Sequence, residues 1–217
     1  MERDFSRGLD MFNPEMYQDK KVWIIGAGWI GSNSAYVLAK MWVKIKVCDF
    51  DEVDSVNTSS QFYWMTQLGK PKVEMLKENI KQMCDEDIEV INDKYKPEYF
   101  EDCDILILAL DSLAVRKEVI ETCKDDQFIL DTRMFQRLSV INTLYGFQRD
   151  YRMEKERDEK IDEESNGMRC TEKAVAFNAL GMASLVWALV CDYLKGKVLK
   201  WSYQLDLVNF RLHVFNS

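Results

Sequence analysis

A second histidine is missing. The chain of 217 residues holds one, His213, which alternates with apolar neighbours near the end and reads as structural, so catalysis by a histidine pair is excluded. An excess of positive charge is missing too: 29 lysines and arginines stand against 37 acidic residues, a formal net charge of -8. Non-specific affinity for nucleic acid comes from clustered Lys and Arg, so no nucleic-acid partner is expected. The six cysteines, Cys48, Cys84, Cys103, Cys123, Cys170 and Cys191, form no CxxC pair, and the opening MERDFSRGLDMF lacks the apolar run of a signal peptide. The expectation is a reducing, cytoplasmic location and no structural zinc. There is no internal repeat.

Long apolar runs are scarce. The exception, AVAFNALGMASLVWALVC at residues 174–191, carries Asn178 and Ser184, lies at the short end of spanning length and has no companion. It is read as a helix buried in the core or at a subunit interface, covered on every side, and no membrane is expected. With 47% hydrophobic residues the chain can bury a full core, which suggests one domain over residues 1–217, with an N-terminal arm at 1–20. The stretch RDYRMEKERDEKIDEESNG offers almost no large apolar anchor, and a mobile, solvated loop is expected at about 149–169.

What is present is an alternation of strands and helices. KKVWIIG, KIKVCD, DIEVIN, CDILILAL and QFILDT read as strands; residues 29–41, KPKVEMLKENIKQM and SLAVRKEVIETC read as helices. That order predicts an α/β fold: a Rossmann-like, mainly parallel sheet with helices on both faces. LSVINTLYG and WSYQLDLVNFRLHVF extend it as antiparallel strands toward the C-terminus.

Gly26, Gly28 and Gly31 spell GxGxxG between the first strand and the first helix, the context in which such glycines allow a tight turn and close approach to phosphate. Asp49, ending the second strand, is placed to accept hydrogen bonds from ribose hydroxyls. Either NAD or ATP fits this much, and a turn capped by Asp49 and Asp51 is the alternative. ATP chemistry also needs cations on the phosphates and a carboxylate for magnesium, and DFDEVDSVNTSSQFYWMTQLGKPKVEMLKENI supplies candidates.

The set GAGxIGS, DFDxVxxxN, a following Gln, GKPKV and ALDSLAVRK resembles the ThiF/MoeB/HesA family of ATP-dependent adenylyltransferases, relatives of ubiquitin-activating enzymes. The likeness runs over residues 3–133 and more weakly through CTEKAVAFNALGMASL. It implies a homodimer that joins AMP to the C-terminal carboxylate of a ubiquitin-like or sulfur-carrier protein, with ATP and Mg²⁺. By resemblance Gly26, Gly28, Gly31, Asp49, Asp51, Asn57, Gln61 and Lys72 would line the nucleotide pocket. Lys72 would sit on the phosphates as a point charge. Asp111, directly after an apolar strand, would hold Mg²⁺; capping the next helix is its other reading. Arg7 in RDFSRGL, with Arg3 as the spare, would reach the partner protomer's site, unless this segment is only a basic tail. Cys170, between the charged loop and the apolar helix, is a candidate thioester acceptor, although many family members adenylate without a cysteine.

The chain departs from the family in one telling place. Where the family reads N-x-x-R-Q, this sequence reads NTSSQ, with Ser60 in the arginine's position. Losing one such group from the transferring phosphates typically costs about 3 kcal/mol. Trp29 after GAG and Trp42, where Gly usually precedes the second strand, are further departures. Three functions therefore remain: an adenylyltransferase, a catalytically impaired nucleotide-binding module of the same fold, and an NAD-dependent oxidoreductase, in which GKPKV and ALDSLAVRK would have no role.

Overall fold

The computed structural model describes residues 13, 17, 19–135, 138–145 and 176–215. Strands β1 (Lys21–Ile25), β2 (Lys44–Cys48), β3 (Glu89–Ile91), β4 (Ile105–Leu108) and β5 (Phe128–Phe135) are joined to β6 (Leu138–Tyr145), β7 (Ser202–Asp206) and β8 (Arg211–Phe215) in one sheet, ordered β3-β2-β1-β4-β5-β6-β7-β8. The first five run parallel, and β6, β7 and β8 are each antiparallel to the strand before. Helices α1 (Trp29–Ala39), α2 (Lys72–Cys84), α3 (Leu113–Thr122) and α4 (Ala176–Leu194) complete the framework. The expected mainly parallel sheet with antiparallel C-terminal strands is the one found.

Period-two alternation assigns the faces. Val22, Ile24, Ile45, Val47, Ile105, Ile107, Phe128 and Leu130 point to one side, where they pack with buried residues of α1, α2 and α4 such as Leu38, Leu76 and Val186. Trp23, Ile25, Leu106, Leu108 and Ile129 point to the other and meet Val119 and Ile120 of α3 and Phe100. Strands wetted on neither face need the continuous apolar runs that the sequence shows. Each such side chain contributes about 1.5–3 kcal/mol on burial. Cys48, Cys84, Cys103, Cys123 and Cys191 are free and buried, Cys48 being pushed up to about 12 by burial and by the nearby Asp49 and Asp93 charges. Cys48, Cys103, Cys123 and Cys191, in or beside apolar strands and helices, serve as small core residues.

Of the two covers expected for α4, core or subunit interface, the chain's own core supplies one side. Met182, Ala183 and Val186 are buried, but Phe177 is 53% and Leu180 50% exposed, so one stripe of this helix faces outward in the single chain. The helix is long and apolar enough to cross a membrane by composition, yet its other side packs on the sheet. Helix α1 also stops earlier than expected, because Trp42 adopts φ 61°, a left-handed conformation that ends the helix and turns the chain into β2. This is the place where the family usually has Gly, and a bulky residue there is strained.

Candidate functional site

The carboxyl ends of β1, β2 and β4 meet around the glycine turn. Gly26 has φ +98°, donates its N–H to Cys48 O at 2.8 Å, and would place a Cβ 2.3 Å from Ala109 O. A Cβ on Gly31 would lie 1.8 Å from Gly26 O, so the first turn of α1 sits on the glycine turn itself. Gly28 differs: nothing lies within 4 Å of its would-be Cβ. Two glycines thus serve the backbone and the third leaves open space.

Helix α1 begins there without a capping side chain, Gly28 being its N-cap residue. Its hydrogen-bond ladder begins with Ser32 N donating to Gly28 O at 3.0 Å, and the Ser32 hydroxyl donates to the same oxygen at 2.7 Å. The amides ahead of that rung carry the positive end of the helix dipole into the open space, a setting suited to an anion.

The predicted carboxylates and lysine join this turn through a chain of bonds. Asp49 accepts from Ala27 N at 2.5 Å and from Asp51 N at 2.8 Å, so the turn-capping reading of Asp49 holds. Each oxygen keeps a second lone pair, and a ribose contact stays open to it. Asp51 in turn accepts the Lys72 ammonium at 2.8 Å, and its carbonyl accepts Lys72 N at 2.9 Å. The Lys72 side chain is 8% exposed and that of Asp51 51%, so Lys72 is far from an ordinary solvated lysine. The wet partner, Asp51, lets solvent screen the pair from one side.

Asn57 and Gln61 lie on the strap that crosses α1. Asn57 is buried and its side-chain oxygen accepts from Asp54 N at 2.8 Å, closing a capping box around the short helical turn Ser55–Ser59. Gln61 Oε1 is buried without a partner among the described residues. Ser60 is buried, and its carbonyl accepts from Asn33 Nδ2 at 3.1 Å. Trp29, half-buried at the head of α1, leaves its indole N–H without a partner among the described residues. Asp111 follows β4 on the same edge; it is exposed, and no hydrogen bond or ion pair holds it among the described residues. The cap of α3 is Ser112, whose hydroxyl accepts from Val115 N at 3.3 Å, so the capping alternative for Asp111 falls to its neighbour. Arg7 and Cys170 lie outside the described residues.

Two features escaped the sequence reading. Arg116 of α3 and Arg133 of β5 both bind the fully buried Asp131: Arg116 Nη1 donates to Asp131 Oδ1, and Arg133 Nη2 donates to Oδ2 at 2.8 Å. Arg116 also donates to Leu110 O and, at 2.9 Å, to Thr132 O, pinning the turn that carries Asp111. Burial pushes the Asp131 carboxyl up, but the two guanidinium charges and their hydrogen bonds outweigh it and hold it below the usual carboxylate range. The second feature is Tyr63, 2% exposed, whose hydroxyl donates to Ala27 O at 2.7 Å. Neither partnership has a spacing signature; an arginine inside ALDSLAVRK and an aromatic hydroxyl in a core run were the available hints.

A carboxylate without a partner among the described residues, a lysine paired to one wet carboxylate and uncapped amides fit a magnesium-bound polyphosphate: anionic oxygens for the amides and lysine, an oxygen ligand for the metal.

The model of the ThiF family matches residues 13–215. The SUMO-activating enzyme subunit uba-2 of Caenorhabditis elegans is 32% identical over 118 residues, 50% of this chain and 20% of that protein. The chain thus spans only a fifth of that relative. Among solved structures, PaaA superposes with a TM-score of 0.76 at 21% identity, covering 94% of this chain and 74% of that one. The Escherichia coli MccB structure with ATP gives a TM-score of 0.75 at 18% identity, covering 94% and 64%. The microcin C7 biosynthetic enzyme MccB in complex with N-formylated MccA gives 0.74 at 18% identity, covering 94% and 66%. These identities speak to the fold.

Proposed function

The chain belongs to the ThiF family, and on that footing we propose that it is an ATP-dependent adenylyltransferase acting on a carboxylate. The acceptor is the C-terminus of a ubiquitin-like or sulfur-carrier protein. The observation that carries this reading is the gathering, on one sheet edge, of the open glycine turn, the Asp51-paired Lys72 and Asp111, which has no partner among the described residues.

In this reading the backbone at Gly26 to Gly31 receives phosphate oxygens and Asp49 holds the ribose. Asn57 and Gln61 line the pocket, with the buried oxygen of Gln61 as a ready acceptor. Lys72 leaves Asp51 for the β- and γ-phosphates, whose charge grows as the bond to the α-phosphorus breaks. Asp111 would hold Mg²⁺, which neutralises phosphate charge when bound. The acceptor carboxylate oxygen then forms a bond to the α-phosphorus, the bond to the bridging oxygen breaks, and pyrophosphate leaves with the electron pair. Arg7, offered across a homodimer, supplies a further cation, and the outward stripe of α4 with the exposed Leu212 and Val214 of β8 gives that dimer an apolar surface. Cys170 is the proposed acceptor wherever a thioester follows. The buried free thiols suit a cytoplasmic, reducing setting.

A second reading is favoured by Ser60: the same fold binding nucleotide with AMP transfer impaired. One assay separates them. The protein is incubated with Mg·ATP, labelled at the α-phosphate, and small carrier proteins, and acyl-adenylate is trapped with hydroxylamine. Hydroxamate and AMP formed in proportion support the transferase. Nucleotide binding without either, recovered by Ser60→Arg, establishes the impaired module.

A further inference from the structure

We propose that Tyr63 is a positioning residue of the glycine turn, its hydroxyl orienting the Ala27–Gly28 peptide so that the Gly28 amide is presented to a phosphate; this rests on the nucleotide reading above. Both polar groups of Ala27 are held: its N–H donates to Asp49 Oδ2 at 2.5 Å, and its carbonyl accepts the Tyr63 hydroxyl at 2.7 Å. A trans peptide is planar, with C=O and the next N–H pointing in opposite directions. Holding Ala27 O toward Tyr63 therefore aims Gly28 N–H away from it. The side of the turn at Gly28 is open, with nothing within 4 Å of a would-be Cβ.

Tyr63 can act this way because its own place is fixed. Phe62 N donates to the Ser32 hydroxyl at 3.1 Å, and Phe62 O accepts from Asn79 Nδ2 at 2.8 Å. On the far side Trp64 N donates to Gln67 Oε1 at 2.9 Å, and Gln67 Nε2 donates to Asn79 Oδ1 at 2.7 Å. The strap is thus tied to α1 and α2 on either side of the tyrosine. A phenylalanine would fill the same space, leave Ala27 O without its donor, and free the peptide to rotate. The cost falls on phosphate binding, because the ribose partner Asp49 is untouched.

The test is calorimetric titration of the intact chain with Mg·ATP and with adenosine, comparing wild type, Tyr63→Phe and Ser139→Ala. The Ser139 hydroxyl donates to Asn178 Oδ1 at 2.6 Å in the core, so its removal controls for the loss of one buried hydrogen bond elsewhere. Tyr63→Phe is expected to bind ATP about three- to tenfold more weakly, the worth of one such bond, and adenosine as wild type does. Ser139→Ala is expected to bind both as wild type does. Unchanged ATP affinity in Tyr63→Phe overturns the inference, and so does an equal loss for ATP and adenosine, the mark of general loosening. A wild-type chain that takes up neither ligand overturns the nucleotide reading, and the inference with it. Ligand-free melting of each variant verifies that it is folded before titration.

Discussion

In the proposed mechanism Asp111 and Lys72 come to the same ligand from opposite states. Asp111 stands exposed and unpartnered among the described residues, so replacing it should leave stability within about 0.5 kcal/mol. Its loss should instead lower AMP transfer by roughly 10²- to 10³-fold. Lys72 is buried against Asp51, and its removal leaves a half-exposed carboxylate rather than a buried one, a small stability cost with a large expected loss in ATP affinity. The glycines divide similarly. Gly31→Ala would drive a methyl into Gly26 O, 1.8 Å from the ideal Cβ position, and should prevent normal folding. Gly28→Ala meets open space; it should keep the melting temperature within a few degrees while weakening ATP binding, and a variant that melts far lower would contradict that division. At Trp42, φ 61° strains any residue with a Cβ. Comparing Trp42→Gly with Trp42→Ala removes the indole from both, and the glycine variant should be the more stable by about 1 kcal/mol in denaturant titration.

Among the elements, the joint between β4, α3 and β5 depends on Asp131 with its two arginines. Asp131→Asn would leave two buried guanidinium groups short of their counter-charge, a loss of about 3–5 kcal/mol. Because its folded pKa lies below the unfolded one, the stability that Asp131 supplies is complete above about pH 4. It is lost as the pH falls through the folded value, and the variant should show a flatter acid limb in stability against pH. The strands themselves were legible: apolar runs such as ILIL of β4 are buried on both faces, and the glycines after β1 marked the turn. Motif order singled out Asp49, Asp51, Lys72 and Asp111; hydrogen bonds link the first three, and Asp111 follows the neighbouring strand β4. What stayed hidden was pairing across chain distance. Arg116 and Asp131 lie 15 residues apart, Tyr63 and Ala27 36, and no periodicity links such positions. For α4 the choice between core and subunit interface stayed open in the sequence, because apolarity on all sides looks the same whether the cover is this chain or another.

For the whole molecule, the outward stripe of α4 and the edge-strand residues Leu212 and Val214 leave large apolar side chains exposed in the single chain. The proposed homodimer covers them. Light scattering should then give twice the 25.6 kDa of one chain, and Leu180→Asp combined with Leu212→Asp should give the single mass. A wild-type monomer at tens of micromolar would remove the dimer and with it the purpose of Arg7. The proposed nucleotide edge at the carboxyl ends of β1, β2 and β4 remains central. The most direct measurement is the melting temperature with Mg·ATP, with NAD and with neither, for wild type and Asp111→Ala. ATP at about 100 times its dissociation constant stabilises the folded state by about 2.7 kcal/mol, a rise of roughly 5–10 °C. The account predicts that rise with Mg·ATP, reduced in Asp111→Ala; a rise with NAD alone, or with neither nucleotide, would contradict it.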